Sequence, residues 1–215
     1  MRQSDLQFRI SDLRCRIRPI SKFPHRFVQS RQAFIALWAV TCLLAACSRQ
    51  ADLPVLGAVP EFSLKDQETR VITRKDLAGK IWIADFIFTS CGGICPDMTG
   101  AMRRLQDKLP PDIQFVSFSV DPAHDTPDVL AAYAAKAGAD SKRWFFLTGD
   151  REALYKLSME GFKLPVDDTT GTTVEPVTHS SRFVLVDRDG EIRGYYGMDD
   201  AGAMERLAAD ARRLL

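Results

Sequence analysis

In the stretch FTSCGGICPDM, residues 88–98, Cys91 and Cys95 stand with three residues between them. Two thiols so close serve a structural disulfide, a dithiol–disulfide redox pair or a clamp for a soft metal. A bridge at this spacing closes too small a loop to stabilise much, which sets the structural disulfide aside. Dithiol enzymes of the C-x-x-C kind use one residue fewer to hold the sulfurs for repeated exchange. Here the extra residue widens the turn, and Gly92 and Gly93 are expected to take φ values closed to other residues, so that both sulfurs address a common atom. Redox pair and metal clamp both remain open on these residues.

A soft metal narrows the search for further ligands. Two thiolates suit Cu(I), and an added imidazole accommodates Cu(II) as well. Beyond the N-terminal leader the chain has two histidines, His124 in DPAHDTP and His179 after the long polar run KLPVDDTTGTTVEPVT, residues 163–178. His179, on a loop beside a late strand, is the better placed to swing onto the thiols.

These residues need elements to carry them. IWIADFIF, 81–88, is a nearly continuous apolar run of strand length that delivers the chain to Cys91. After Pro96, Met98, Met102, Leu105 and Leu109 fall at helical spacing and Pro110 and Pro111 stop the run, so Cys95 sits at a helix start, where the dipole is expected to lower thiol pKa values and make both cysteines reactive. A strand at 113–120, a helix capped by Asp125 or Thr126 and ended at Gly138, a strand at 144–149 and a helix at 150–161 continue the alternation. A hairpin around RDG, with strands at 182–187 and 192–197, and a C-terminal helix close it; an earlier hairpin spans 61–73. This order predicts an α/β, thioredoxin-like sandwich: a mixed central sheet with flanking helices and an N-terminal hairpin. Within it Met98 and Met102 read as core, Asp121 and Asp125 as turn and cap residues, and Asp85 as a buried carboxylate beside the thiols that needs a partner.

The N-terminus has another purpose. Residues 1–31 hold eight Arg and Lys against Asp5 and Asp12 and lead into the apolar AFIALWAVTCLLAAC, 33–47, the order of an export signal. About 14 apolar residues rise only about 21 Å as a helix, short of the ~30 Å hydrocarbon core, so a signal is preferred over a membrane span. LAAC resembles the lipobox of bacterial lipoproteins, which makes 1–46 a signal peptide, Cys47 the lipidated N-terminus, 47–57 a tether and 58–215 the exported domain. Cys15 and Cys42 leave with the signal, so Cys91 and Cys95 remain as the exported thiols. The rest of the chain carries 21 basic against 26 acidic residues and lacks the clustered cations that nucleic acid demands.

Taken together, FTSCGGICPDM, SVDPAHDTPDVLAAYA and THSSRFVLVDRDG resemble the Sco/SenC family of copper proteins over roughly residues 57–213. The resemblance implies a thioredoxin-like fold, copper held by Cys91, Cys95 and His179, and delivery to the dinuclear copper centre of a cytochrome c oxidase subunit; another copper carrier is a further candidate partner. The export signal and the lipobox-like LAAC imply an envelope location on the periplasmic side, anchored by lipid through Cys47. A thiol-disulfide oxidoreductase acting on the oxidase's copper-site cysteines through Cys91 and Cys95 is the alternative. Thr178 departs from the pattern, standing where many relatives have an aspartate before the histidine.

Overall fold

The computed structural model describes residues 52–167 and 178–215, all within one unit, 52–215. The leader, Cys47 and most of the 163–178 loop lie outside the described residues. The chain opens on β1 (Gly57–Ala58), continues through β2 (Ser63–Lys65), β3 (Val71–Thr73) and a 3-10 turn at Arg74–Leu77, and enters the centre with β4 (Ile81–Ile87). There follow α1 (Cys95–Lys108), β5 (Ile113–Ser119), α2 (Pro127–Ala137), β6 (Trp144–Leu147) and α3 (Arg151–Lys156), which runs into a π-helical turn at Leu157–Gly161. Short β7 (Val166–Asp167) and β8 (Thr178–His179) precede β9 (Arg182–Val186), β10 (Glu191–Gly197) and α4 (Ala203–Arg213).

Six strands form one sheet in the order β1-β10-β9-β4-β5-β6. β4, β5 and β6 are parallel, whereas β9 and β10, joined by a short turn, run antiparallel to each other and to their other neighbours β4 and β1. This is the mixed α/β sheet expected from the alternation, and β2 and β3 supply the expected early hairpin. Every residue of β4 and β5 is buried, which explains their largely apolar character, interrupted by Asp85 in β4 and by Gln114, Ser117 and Ser119 in β5. On one sheet face Phe86 stacks on Phe118 and Phe162 meets both edges-on or tilted. On the other, Asp85 lies in register with Ser117.

Helix ends follow local chemistry. Pro96 fills the first turn of α1, where its missing N–H costs nothing, and Met98 and Met102 are fully buried on its inner face. Thr126 caps α2 by accepting from the Val129 N–H, and Gly138 ends it at φ 69°.

The fold begins earlier than the expected tether allows. Gly57 and Ala58 pair with Ile192 and Glu191, the Leu56 N–H donates to the Ile192 carbonyl at 2.8 Å, and the Arg193 guanidinium bonds the carbonyls of Leu53 and Pro54. A two-residue strand has no periodicity to reveal it. For the same reason the expected 163–178 loop conceals β7 and β8, paired Val166 to His179 and Asp167 to Thr178.

Candidate metal centre

β4 ends by turning its chain over the sheet edge, where the Cys91 N–H donates to the Phe88 carbonyl at 3.3 Å and α1 begins at Cys95. Both cysteines are free thiols; Cys91 is half-buried and Cys95 fully buried. Cys95 is hydrogen bonded to the Phe88 backbone. Burial pushes the Cys95 thiol well above its ordinary range, the Phe88 bond opposes this, and Cys91 and Asp85 add to it. The expectation of a lowered value at the helix start therefore fails for Cys95, because desolvation outweighs the dipole. A metal ion arriving here must displace that proton. Gly92 and Gly93 also differ from expectation: neither is among the glycines with positive φ, and a Cβ on Gly92 would meet nothing within 4 Å.

The thiol loop is anchored from the next βα connection. Asp125 is buried, and its carboxylate accepts from the Thr89 N–H at 3.2 Å, the Thr89 hydroxyl at 2.5 Å and the Ser119 hydroxyl at 2.6 Å. Burial raises its pKa, and the three donors pull it back. Asp125 is thus a clamp on the loop two residues before Cys91, not the cap of α2, which is Thr126. His124 points elsewhere: its ring is largely exposed, and Nδ1 lies 2.7 Å from Asp121 Oδ2, a contact that raises its pKa.

His179 is placed by its backbone. β9, which follows it, pairs antiparallel with β4 as Val184 to Ala84 and Val186 to Trp82, while His179 itself lies on β8, paired with Val166 of β7 outside the central sheet. Among the described residues no three His, Cys, Asp or Glu side chains gather as a metal cluster, and the His179 imidazole is outside them.

A family model described as SCO1/SenC matches residues 54–215. The chain belongs to the SCO1/SenC family. A crystal structure of a SCO1/SenC family lipoprotein from Bacillus anthracis is similar at 36% identity and a TM-score of 0.68, over 76% of this chain and 99% of that one. BsSco, a member of the Sco family of cytochrome c oxidase assembly proteins in which a disulfide switch was identified, is similar at 33% identity and a TM-score of 0.68, over 77% and 98%. Arabidopsis thaliana ScoI with copper bound is similar at 25% identity and a TM-score of 0.63, over 73% and 99%. The fold is thus the thioredoxin-like one of Sco proteins.

Within this SCO1/SenC chain one more group stands close to the chemistry. Asp85 is fully buried on β4, neither carboxylate oxygen meets hydrogen-bond geometry, and burial pushes its pKa up to about 7. The Ser117 hydroxyl beside it, which accepts from Trp144 Nε1 at 3.0 Å, offsets part of that shift. An acidic residue interrupting an apolar strand was the sequence signal for Asp85. Asp125 had no such signal, since its partner Thr89 lies 36 residues away. A cavity of about 580 Å³ between β2 and the π-helical turn is lined by Phe62, Leu157 and Gly161 and contains neither cysteine.

Proposed function

We propose that this chain carries copper as cargo between Cys91, Cys95 and His179 and hands it to the cytochrome c oxidase subunit that bears the dinuclear copper centre. The observation that carries the reading is the pair of thiols outside any disulfide, one half-buried and one buried, at the β4–α1 turn of a SCO1/SenC chain. Copper bound in Arabidopsis ScoI and the oxidase-assembly role of the family that includes BsSco support it. Thiolate sulfur suits Cu(I), and the imidazole extends the set to Cu(II). Delivery proceeds by ligand exchange, each acceptor ligand replacing one of the three; Cys91, the half-buried thiol, is the first reachable. Copper comes to the site from another carrier. Lipid on Cys47 holds the chain to a membrane on the periplasmic side of the envelope, a reading supported by the lipoprotein relative. Among the described residues no helix is long and apolar enough to cross a membrane.

Replacing His179 with Ala is expected to weaken Cu(II) retention by about tenfold or more, read by absorbance titration, while Cu(I) is still held by the thiols. Unchanged Cu(II) affinity removes His179 from the site. Metal content of Cys91→Ser and Cys95→Ser tests the thiols, and mass spectrometry of membrane-extracted protein should find acyl chains on Cys47.

The unequal burial of the two thiols favours a second activity. In a reductase, the Cys91 thiolate attacks the acceptor's disulfide, forming a mixed disulfide and expelling one acceptor thiolate. Cys95, losing its proton, then closes the Cys91–Cys95 bond and releases the second thiolate, so two electrons pass to the acceptor. Stoichiometric reduction of an oxidised copper-site peptide, trapped as a mixed disulfide in Cys95→Ser, is the expected result; no reduction discards this activity.

A further inference from the structure

A groove of about 540 Å³ starts at Cys91 and follows the seam between α1 and α2, with Thr99 and Tyr133 in its walls and Arg103, Arg104 and Lys136 along it. The Thr99 and Tyr133 hydroxyls bond to each other at 2.7 Å, tying the two helices together across the groove. No carboxylate lines it. Arg103 is paired with Asp107, outside the groove, whereas Arg104 and Lys136 are exposed and have no carboxylate partner among the described residues. Beyond residue 31 the chain carries 26 acidic residues against 21 basic ones, so three cations in one groove run against the charge of the domain.

We propose that this groove seats an extended acidic segment of the protein that receives the copper. The identity of the visitor rests on the copper-donor reading above; its charge and length rest on the groove. From Pro96 to Arg104 a helix rises about 12 Å, the span of about four extended residues. A segment whose acceptor ligand lies at Cys91 therefore places carboxylates among Arg103, Arg104 and Lys136 about four residues further along. A basic segment is repelled, and that repulsion supplies discrimination as well as attraction.

The test uses the full chain, reduced and copper-free, with fluorescein-labelled ten-residue peptides in which a cysteine is followed four residues later by three glutamates, three glutamines or three lysines. At low salt, fluorescence anisotropy is expected to show the glutamate peptide binding about tenfold more tightly than the glutamine one, with the lysine peptide weakest and the spread shrinking as salt is added. Arg104→Glu with Lys136→Glu should invert the order. Equal affinities for the three peptides, or an order that survives the double charge reversal, overturn the proposal. So does binding to anionic phosphatidylglycerol vesicles that the double variant loses while the peptides are not sorted, since the cations then serve the membrane surface. Copper titration of the same variants keeps the two readings apart. A chain that sorts peptides but binds no copper retains the groove and loses the donor function; one that binds copper without sorting peptides does the reverse.

Discussion

At the scale of single residues, two buried carboxylates flank the thiols with opposite provisions. Asp125 has three donors; Asp85 has none in hydrogen-bond geometry. With its pKa raised to about 7, folded Asp85 keeps its proton where the unfolded chain has lost it. The folded state then binds more protons than the unfolded one between about pH 4 and 7, so its contribution to stability falls through that window by about 1.4 kcal/mol per unit at most. Asp85→Asn, which cannot ionise, should match the parent near pH 4 and exceed it at pH 8, by urea unfolding at each pH. Parallel stability curves across that range would show that burial of Asp85 carries no such penalty. Asp125 behaves differently because its loss strands the Thr89 N–H and both hydroxyls. Asp125→Ala is expected to cost about 1–3 kcal/mol and to weaken copper binding about 10- to 100-fold by releasing the loop before Cys91. A variant that unfolds more easily yet binds copper as the parent does would confine Asp125 to the fold.

At the scale of elements, what the sequence made legible depended on length and punctuation. β4, α1, β5 and α2 are long enough to show an apolar run or a period, and Pro96, Pro110 and Gly138 mark their limits, so the sequence alone puts the thiols at a strand end and a helix start. β1, β7 and β8 have two residues each, too few for any period, and exist through partners distant in sequence. The site divides likewise: the spacing of Cys91 and Cys95 is local, while the clamp from Asp125 and the burial that raises Cys95 are tertiary. Glycine in the thiol loop misled for a related reason, since its presence states a freedom and not its use. Gly138 uses that freedom, at φ 69° and with a Cβ site only 3.0 Å from Arg103 Nε; Gly92 has open space. Gly138→Ala should therefore cost about 1 kcal/mol or more, whereas Gly92→Ala should change stability by less than about 0.5 kcal/mol and leave copper affinity intact. Chemical denaturation and copper titration of the pair check this, and equal costs would refute the assignment of strain to Gly138 alone.

Across the whole molecule the proposed ligands come from two parts of the chain that the sheet brings to one edge. Cys91 and Cys95 follow β4, and His179 precedes β9, the antiparallel neighbour of β4. β4 and β9 are laddered on both sides within the central sheet, so the end of β4 and the start of β9 stay at the same side of it whether or not copper is present. β7 and β8, by contrast, share two residue pairs, and little ladder opposes their opening. A metal ion bound to all three ligands joins this small ribbon to the thiol loop and stabilises the native state by mass action. Hydrogen exchange should then show β4 and β5 protected in both states, with copper adding protection at 88–95 and at 178–182 together. In His179→Ala the first gain should persist and the second disappear. Protection gained only at 88–95 in the parent chain would mean that copper is held by the thiols alone, and the ribbon carrying His179 would then have no part in retaining it.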